Sequence, residues 1–191
     1  MLIATDILKA ALLCASQEES RYYLRGVHLS TSNHLVTTDG HRMFVARLAE
    51  RPSADVIIPY NNITAALKLA GRAQEIEVTG DRIGQIAYQP IDGTFPDWRR
   101  VVPTGEEVPS DKPDDASGRV HFNHAYVGDL AKIGKLLGGT SMLHVTSASN
   151  PALVTFGERD DCFAVLMPMR RGSGAQGEPG HGAHVRRRVI G

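Results

Sequence analysis

The sequence is poor in cysteine, in long apolar runs and in net charge, and each shortage excludes a class of protein. Its two cysteines, Cys14 and Cys162, match no CxxC or zinc-ligand spacing. We therefore expect buried apolar side chains in a reducing compartment, not a disulfide framework or a zinc site. No apolar run approaches the ~18 residues that span a membrane. Lys plus Arg and Asp plus Glu both number 21, so no overall positive field attracts nucleic acid.

Size and composition predict a folded protein. With 191 residues, of which 42% are hydrophobic and 22% charged, the chain can bury one substantial core or two small ones. Residues 1–3 lack the charged and long apolar regions of a signal peptide, so we expect a cytoplasmic protein without a membrane partner. We expect neither a cofactor nor a metal ion, since no ligand cluster stands at metal-binding spacing.

One pattern recurs three times, at intervals of roughly 60 residues: a short strand, a capped helix with a narrow apolar stripe, and strands broken by turns. In the first copy, the segment RYYLRGVHLS predicts a strand and Asp39-Gly40 predicts a hairpin turn. Thr5 or Asp6 is expected to cap the first helix. The apolar face of this helix contains Ile7, Ala10, Ala11 and Cys14.

The second copy repeats this order. Its β run of residues 56–58 stops at Pro59, Asn61 or Asn62 is expected to start a helix, and Gly71 is expected to end it. Strands EIEVTG and RIGQIAY follow. The apolar face of the second helix contains Ile63, Ala66, Leu67 and Ala70.

In the third copy, residues 119–122 predict a strand and Asn123 is expected to cap a helix. The segments MLHVTSA, ALVTFGE and CFAVLMPMR predict the remaining strands. The apolar face of the third helix contains Val127, Leu130, Ala131 and Gly134.

Two polar segments delimit the predicted domains. Residues 104–118 are rich in Pro, Gly, Ser and acidic residues, which predicts a flexible linker. Residues 172–191 have the composition of a disordered basic tail, with arginines at 186–188. The sequence therefore predicts a two-module domain at 1–103 and a single module at 119–171.

Three separated strings resemble a known family. They are TTDGHRMF at 37–44, TFPDWRRVVP at 94–103 and VLMPMR at 165–170. In this order they resemble the bacterial sliding clamp, the DNA polymerase III beta subunit. The resemblance implies an α+β DNA-clamp (processivity) fold built from strand-helix-strands modules, and residues 1–103 are similar to the family's middle domain. The form is shortened, since residues 119–171 resemble only the latter half of the last domain.

The resemblance also implies a hydrophobic pocket for short motifs of DNA polymerase and other proteins that carry clamp-binding motifs. Methionines in such a pocket adapt to Leu or Phe anchors, and prolines give rigid walls. Arg42, Arg100 and Arg170 are expected to frame the rim, and Trp98 is either a packing anchor, which we favour, or part of the wall. The family's pocket positions fall on Leu24, Thr38, Gly40, His41, Arg42, Met43, Pro96, Arg100, Val101, Val165, Met167, Pro168 and Met169.

Contact with double-stranded DNA is a further expectation, because the family's helices line a DNA-sized hole. Small basic patches and two aromatic residues occupy positions suited to phosphate contact and base stacking. For the basic residues an ordinary solvated helix surface remains the alternative, and for the tyrosines a place in the core. The residues are Tyr22, Tyr23, Lys68, Arg72, Lys132 and Lys135.

The unpaired third module predicts a homo-oligomer. Its helix face and sheet edges have no sister module, so we expect a dimer in which two third modules rebuild a domain across a two-fold axis. Closure around DNA would take a dimer of dimers. The sequence leaves open whether residues 104–118 let the third module reach its own first domain or that of a neighbour.

Three functions are compatible with the sequence. The favoured one is a non-enzymatic, clamp-like accessory protein of replication or repair. The second is an adaptor or competitor, of a phage or mobile-element type, that binds clamp-interacting proteins without forming a ring. The third is an enzyme that uses His41 and Asp39. It is disfavoured because no nucleophile or ligand set accompanies His41, and a turn accounts for Asp39.

Overall fold

The computed structural model describes residues 1–103, 120–147 and 149–169. The linker predicted at 104–118, the tail predicted at 172–191 and Arg170 lie outside the described residues. Within the described ranges, no helix combines the length and the apolar character needed to cross a membrane.

The described residues form two strand-helix-strands modules and a third module in which a helix is followed by strands. The first consists of β1 (Leu2–Ala4), α1 (Thr5–Leu12), a 3₁₀ segment (Glu19–Leu24), β2 (Gly26–Ser30), β3 (His34–Thr38) and β4 (Arg42–Arg47). The second consists of β5 (Val56–Pro59), α2 (Tyr60–Ala70), β6 (Glu75–Glu77), β7 (Arg82–Ile83), β8 (Ile86–Ala87) and a 3₁₀ segment (Trp98–Val101). The third consists of α3 (His124–Leu136), β9 (Ser141–His144), β10 (Ala152–Phe156) and β11 (Arg159–Leu166).

The first two modules exchange their first strands. β1 pairs antiparallel with β6 of the second module, which places Ile3 opposite Ile76. β5 pairs antiparallel with β2 of the first module, which places Ile58 opposite Val27. All four side chains are buried in one cluster, and α1 contacts α2. The two modules therefore share a single core.

The third module joins the first through β11, which pairs antiparallel with β4 of the same chain. The result is a seven-stranded sheet in the order β5-β2-β3-β4-β11-β10-β9. Because α1 contacts both α2 and α3, the three helices lie side by side with α1 in the middle. The third module thus packs on its own first module, a choice that the sequence left open.

The core continues across this junction. Phe44 of β4 and Phe156 of β10 are fully buried, and their ring centroids lie 6.2 Å apart. Cys14 and Cys162 are buried free thiols, as predicted. Burial raises the pKa of each thiol to about 12, so neither is a reactive thiolate near neutral pH.

Both predicted helix starts in the first two modules were wrong. Thr5 does not cap α1 but is its first residue, and its hydroxyl donates to the carbonyl of Ala73 at 3.0 Å. A tertiary contact has therefore replaced the expected local cap. α2 begins at Tyr60, before the predicted Asn61 or Asn62, because the chain turns into the helix directly after Pro59 of β5.

Two predicted strands differ from the structure: the first is shorter than predicted, and the second is absent from the described residues. Residues 21–24 belong to a 3₁₀ segment that buries Leu24, and the strand starts only at Gly26. Residues 120–122 form no strand, although the amide of Met169 donates to the carbonyl of His121 at 2.7 Å. A strand needs a neighbouring strand, and in the first two modules the sister module supplies it.

The apolar face predicted for α3 was only partly correct. The structure buries Leu130, Ile133 and Gly134, whereas Val127 and Ala131 are exposed. Ile133 packs in the main cluster on the side of the helix that faces the sheet. The exposed pair belongs to neither the main cluster nor the residues packed against it.

Asn123 does cap α3, as predicted, and this yields a first testable expectation. Its side-chain oxygen accepts a hydrogen bond from the amide of Ala125 at 2.9 Å. Asn123→Ala leaves that amide without its partner, so we expect the free energy of unfolding to fall by about 1 kcal/mol in urea denaturation followed by circular dichroism. The control is Asn61→Ala in α2, whose N-terminus has no side-chain cap. An equal loss in both variants would contradict the capping role.

Candidate functional site

The three strings converge on one cavity of about 170 Å³. The β3–β4 turn forms one side, the segment leading into Trp98–Val101 forms the second, and the end of β11 with the residues after it forms the third. The lining residues are Leu24, Thr38, Gly40, His41, Arg42, Met43, Phe95, Pro96, Asp97, Trp98, Val101, Val165 and Met167.

Strand pairing between the first and third modules assembles this cavity. The β4–β11 register places Val165 directly opposite Met43, and both side chains are buried. They belong to a second, smaller cluster with Val36, Val45 and Trp98. The apolar floor of the cavity is therefore a packed core whose parts are distant in sequence.

The β3–β4 turn gives the cavity a rigid rim. The carboxylate of Asp39 accepts hydrogen bonds from the amides of His41 at 2.8 Å and Arg42 at 2.9 Å. Gly40 has a φ of +90°, which favours glycine, and a Cβ there would lie 2.5 Å from Nη1 of Arg21. The turn therefore accounts for Asp39, as predicted, and its carboxylate is committed to this backbone.

Arg42 is the centre of a buried ion-pair group. Its Nε lies 3.2 Å from the carboxylate of Asp39, and its Nη1 lies 2.5 Å from the carboxylate of Asp129 in α3. Its guanidinium carbon also lies 4.5 Å above the ring of Tyr126. Since only 10% of the Arg42 side chain is exposed, the group ties the cavity rim to α3.

Electrostatics in this group favours the ionised forms. Burial opposes ionisation of Asp129, but hydrogen bonds from Lys132 and Arg42 outweigh it and hold its pKa below the usual value of 3.8. Burial likewise opposes the charge on Arg42, yet the hydrogen bond to Asp129 raises its pKa further. The guanidinium is therefore already compensated, which disagrees with the expectation that Arg42 orients an acidic peptide residue.

Ten of the thirteen pocket residues predicted from the sequence line the cavity, and three do not. The side chain of Arg100 is 83% exposed and lies 3.2 Å from Asp97. Met169 is 55% exposed, and Pro168 is half-buried beside it. The chain leaves β11 at Leu166, so these last two residues pass beyond the cavity wall.

Two lining residues, Phe95 and Asp97, were not predicted from the sequence, and a third, Trp98, was predicted either to pack or to form part of the wall, with packing favoured. All three stand within the string TFPDWRRVVP, so their position in the sequence was itself a usable signal. Both alternatives hold for Trp98, since it packs in the second cluster and also forms part of the cavity wall.

Phe95 also borders a second cavity of about 300 Å³. Its ring stacks on His28 with centroids 4.6 Å apart. Burial lowers the pKa of His28, and the nearby carboxylate of Asp55, 3.7 Å away, opposes that shift only in part. We therefore expect a neutral imidazole at pH 7.

The residues predicted to contact DNA are spread over the helices and one 3₁₀ segment. Lys68 is exposed in the last turn of α2, Arg72 is exposed just after that helix, and Lys135 is exposed on α3. Lys132 is also exposed, but its ammonium lies 2.7 Å from the carboxylate of Asp129.

The two tyrosines differ in exposure. Tyr22 is 54% exposed, whereas Tyr23 is half-buried, and their rings meet edge to face at 5.7 Å. Both lie in the 3₁₀ segment that ends at Leu24, a residue of the cavity wall.

Part of this chain is similar to known sequences of the DNA polymerase III beta subunit. Residues 3–97 match the family described as DNA polymerase III beta subunit, central domain. The Beta sliding clamp of Caulobacter vibrioides is 34% identical over 111 residues, which cover 46% of this chain and 29% of that protein. The Beta sliding clamp of Escherichia coli K12 is 27% identical over 112 residues, 51% of this chain and 31% of that protein. The matched segment thus spans less than a third of these relatives.

Solved structures with the same fold cover most of this chain. The DNA polymerase sliding clamp from Pseudomonas aeruginosa with ligand has a TM-score of 0.66 and 22% identity, over 90% of this chain and 66% of that one. The DnaN sliding clamp from Bartonella birtlesii bound to griselimycin has a TM-score of 0.66 and 23% identity, over 89% and 66%. These likenesses extend the shared fold to the third module.

Proposed function

Because the chain belongs to the bacterial sliding-clamp family, we propose that it is a clamp-like accessory protein of DNA replication or repair that binds partner peptides. The binding site would be the cavity between β4, β11 and the 3₁₀ segment Trp98–Val101. Its partners would be a DNA polymerase or other proteins with clamp-binding motifs, met in the cytoplasm. We propose a binding platform that requires no cofactor, not an enzyme.

The observation that carries this proposal is the convergence of three distant strings on one apolar cavity. An apolar cavity of about 150 Å³ accommodates benzene, so a cavity of about 170 Å³ has room for one aromatic or leucine side chain. Met43 and Met167 can adapt to such an anchor. Short motifs that insert one or two side chains bind near micromolar, which corresponds to about −8 kcal/mol.

The test is fluorescence anisotropy with a labelled peptide of the pattern Gln-Leu-x-Leu-Phe. We expect saturable binding with a dissociation constant near 10 μM for the unaltered chain. Val101→Asp places a carboxylate in the cavity wall, where it is unpaired once the peptide is bound, so we expect binding at least 50-fold weaker. Met167→Asp should act in the same way.

The matched control is Val145→Asp in the third module. Val101 is 41% exposed and Val145 is 42% exposed, but only Val101 lines the cavity. We expect Val145→Asp to bind the peptide within twofold of the unaltered chain. Absence of binding by the unaltered chain, or equal weakening by both substitutions, would refute the proposed site.

Contact with double-stranded DNA is a second proposal, favoured by the exposed basic residues at the end of α2 and just after it. Among the described residues, Lys68 and Arg72 have no carboxylate within ion-pair distance, so their charge is available to phosphates. Lys9 of α1, which the sequence analysis did not select, is exposed on the neighbouring helix.

Retention on DNA separates a ring from an adaptor that never encircles DNA. Binding to closed circles that withstands 0.5 M salt and is lost on linear DNA would support encirclement by a homo-oligomer. Ordinary salt-sensitive binding would support contact without encirclement. Absence of DNA binding, together with peptide binding, would favour the adaptor or competitor.

A further inference from the structure

The third module exposes the surface through which the first two modules pair. Each helix begins after an N-cap residue, and the fourth residue after it can be compared between modules. Leu8 of α1 and Ile63 of α2 occupy this position, and both are fully buried. Val127 occupies it in α3 and is 36% exposed. The apolar residue is present in all three modules, but among the described residues only that of the third module is left exposed.

Two further positions repeat this difference. The residue before the N-cap is Ile3 in the first module and Ile58 in the second, each buried in an exchanged strand. In the third module it is Phe122, which is half-buried and belongs to no strand. The eighth residue after the N-cap packs against the core in α1 and α2 but is the exposed Ala131 in α3.

The sheet of the third module also has an unpaired edge among the described residues. In the first two modules the strand that follows the helix, β2 or β6, receives the first strand of the sister module along one edge. The corresponding strand of the third module is β9. It lies at the end of the seven-stranded sheet, and its outer edge pairs with no strand of the described residues. Such an edge can bind a further strand.

The chain does not contain a further module at the place where a sister would precede the third one. Only residues 104–119 separate Pro103 from Val120, whereas the strands and helix of the first module extend from Leu2 to Arg47. This interval is too short for a sister module of the kind that covers the first two helices.

We propose that a second copy of this chain covers the surface, with the two third modules related by a two-fold axis. Residues 120–122 of each copy would pair antiparallel with β9 of the other, and the flank of α3 around Val127 would pack against its equivalent. The choice of a second copy follows from the first two modules, which pair through equivalent positions. A surface that joins two such modules is self-complementary, as a two-fold interface requires.

Two residues of α3 with nearly equal exposure allow a matched test of this interface. Leu136 is 37% exposed, nearly the same as Val127 at 36%. The two residues are nine positions apart, which is about 900° of helical rotation, so they lie on opposite sides of α3. Val127→Asp therefore places a carboxylate inside the proposed interface, whereas Leu136→Asp places one outside it.

Sedimentation velocity of the complete chain from 1 to 100 μM is the test. We expect a dimer of the unaltered chain, a dimerisation constant at least 100-fold weaker for Val127→Asp, and an unchanged constant for Leu136→Asp. A monomer at 100 μM would overturn the proposal, as would dimerisation that survives Val127→Asp. Loss of the dimer in Leu136→Asp alone would assign the contact to another surface and overturn it as well.

Hydrogen exchange provides a second readout that does not depend on peptide or DNA binding. In the dimer, we expect the amides of residues 141–144 to exchange at least tenfold more slowly in the unaltered chain than in Val127→Asp. Equal exchange in a dimeric unaltered chain would contradict the pairing of β9. Because neither measurement involves the cavity, failure of this proposal and failure of the proposed function are distinguishable.

Discussion

Gly26→Ala should destabilise the protein by about 3 kcal/mol or more in urea denaturation monitored by circular dichroism. A Cβ at this position would lie 2.4 Å from the carbonyl oxygen of Ile58 and 2.9 Å from Cγ2 of Ile57. The first of these neighbours is backbone, so a change of side-chain rotamer cannot relieve the overlap. Gly26 lies opposite Pro59 in the β2–β5 pair, one of the two exchanges that hold the first and second modules together.

Gly128→Ala is the matched control for this prediction. Gly128 lies inside α3, and a Cβ there would meet no atom within 4 Å. Because alanine favours the helix by roughly 1 kcal/mol over glycine, we expect the free energy of unfolding to rise by about 0.5–1 kcal/mol. If Gly26→Ala cost less than 1 kcal/mol, β2 and β5 would have to separate easily, and the tight strand exchange would be contradicted.

Much of the cavity could be predicted from the sequence because its rim is a local structure. Asp39-Gly40 specifies a tight hairpin, and the continuous apolar run of residues 162–166 is typical of a buried strand, so both strings keep their shape wherever the chain places them. Their approach to each other depends instead on the β4–β11 pair, which joins residues more than a hundred positions apart. The resemblance to a known family supplied that information.

Contacts between modules account for what the sequence could not predict. Thr5 has the character of a helix cap, but its hydroxyl bonds to Ala73 after the second helix. Residues 120–122 have the pattern of a strand, but the pairing that would make them one is absent from the described residues. In both cases local propensity was overruled by the presence or absence of a tertiary neighbour.

Arg42 illustrates the same limit at the site. Its place in the string TTDGHRMF predicts a cation at the cavity rim. Nothing near it in the sequence indicates Asp129, which lies 87 positions away and binds its guanidinium. The sequence thus assigned Arg42 to ligand orientation, whereas the structure commits its charge to holding α3 against β4.

Arg42→Met should therefore lower the free energy of unfolding by about 3 kcal/mol at pH 7. Methionine retains part of the side-chain packing, but Asp39 and Asp129 lose the cation between them while they stay largely buried. The matched control is Arg47→Met at the end of the same strand. Arg47 is exposed and forms no ion pair with any residue that the structure describes, so a change within 0.5 kcal/mol is expected.

The pH dependence of this difference tests its electrostatic origin. The pKa of Asp129 is lowered in the folded chain, so its ionisation adds stability that is present above the ordinary pKa of 3.8 and is lost as pH falls through the lowered folded value. Without Arg42, Asp129 keeps the hydrogen bond from Lys132 while burial still disfavours its charge, so the pKa of Asp129 should rise. Urea denaturation from pH 7 to pH 3 should therefore show the difference between Arg42→Met and the unaltered chain shrinking below about pH 4. A difference that stays constant with pH would mean that Arg42 stabilises the chain through packing alone.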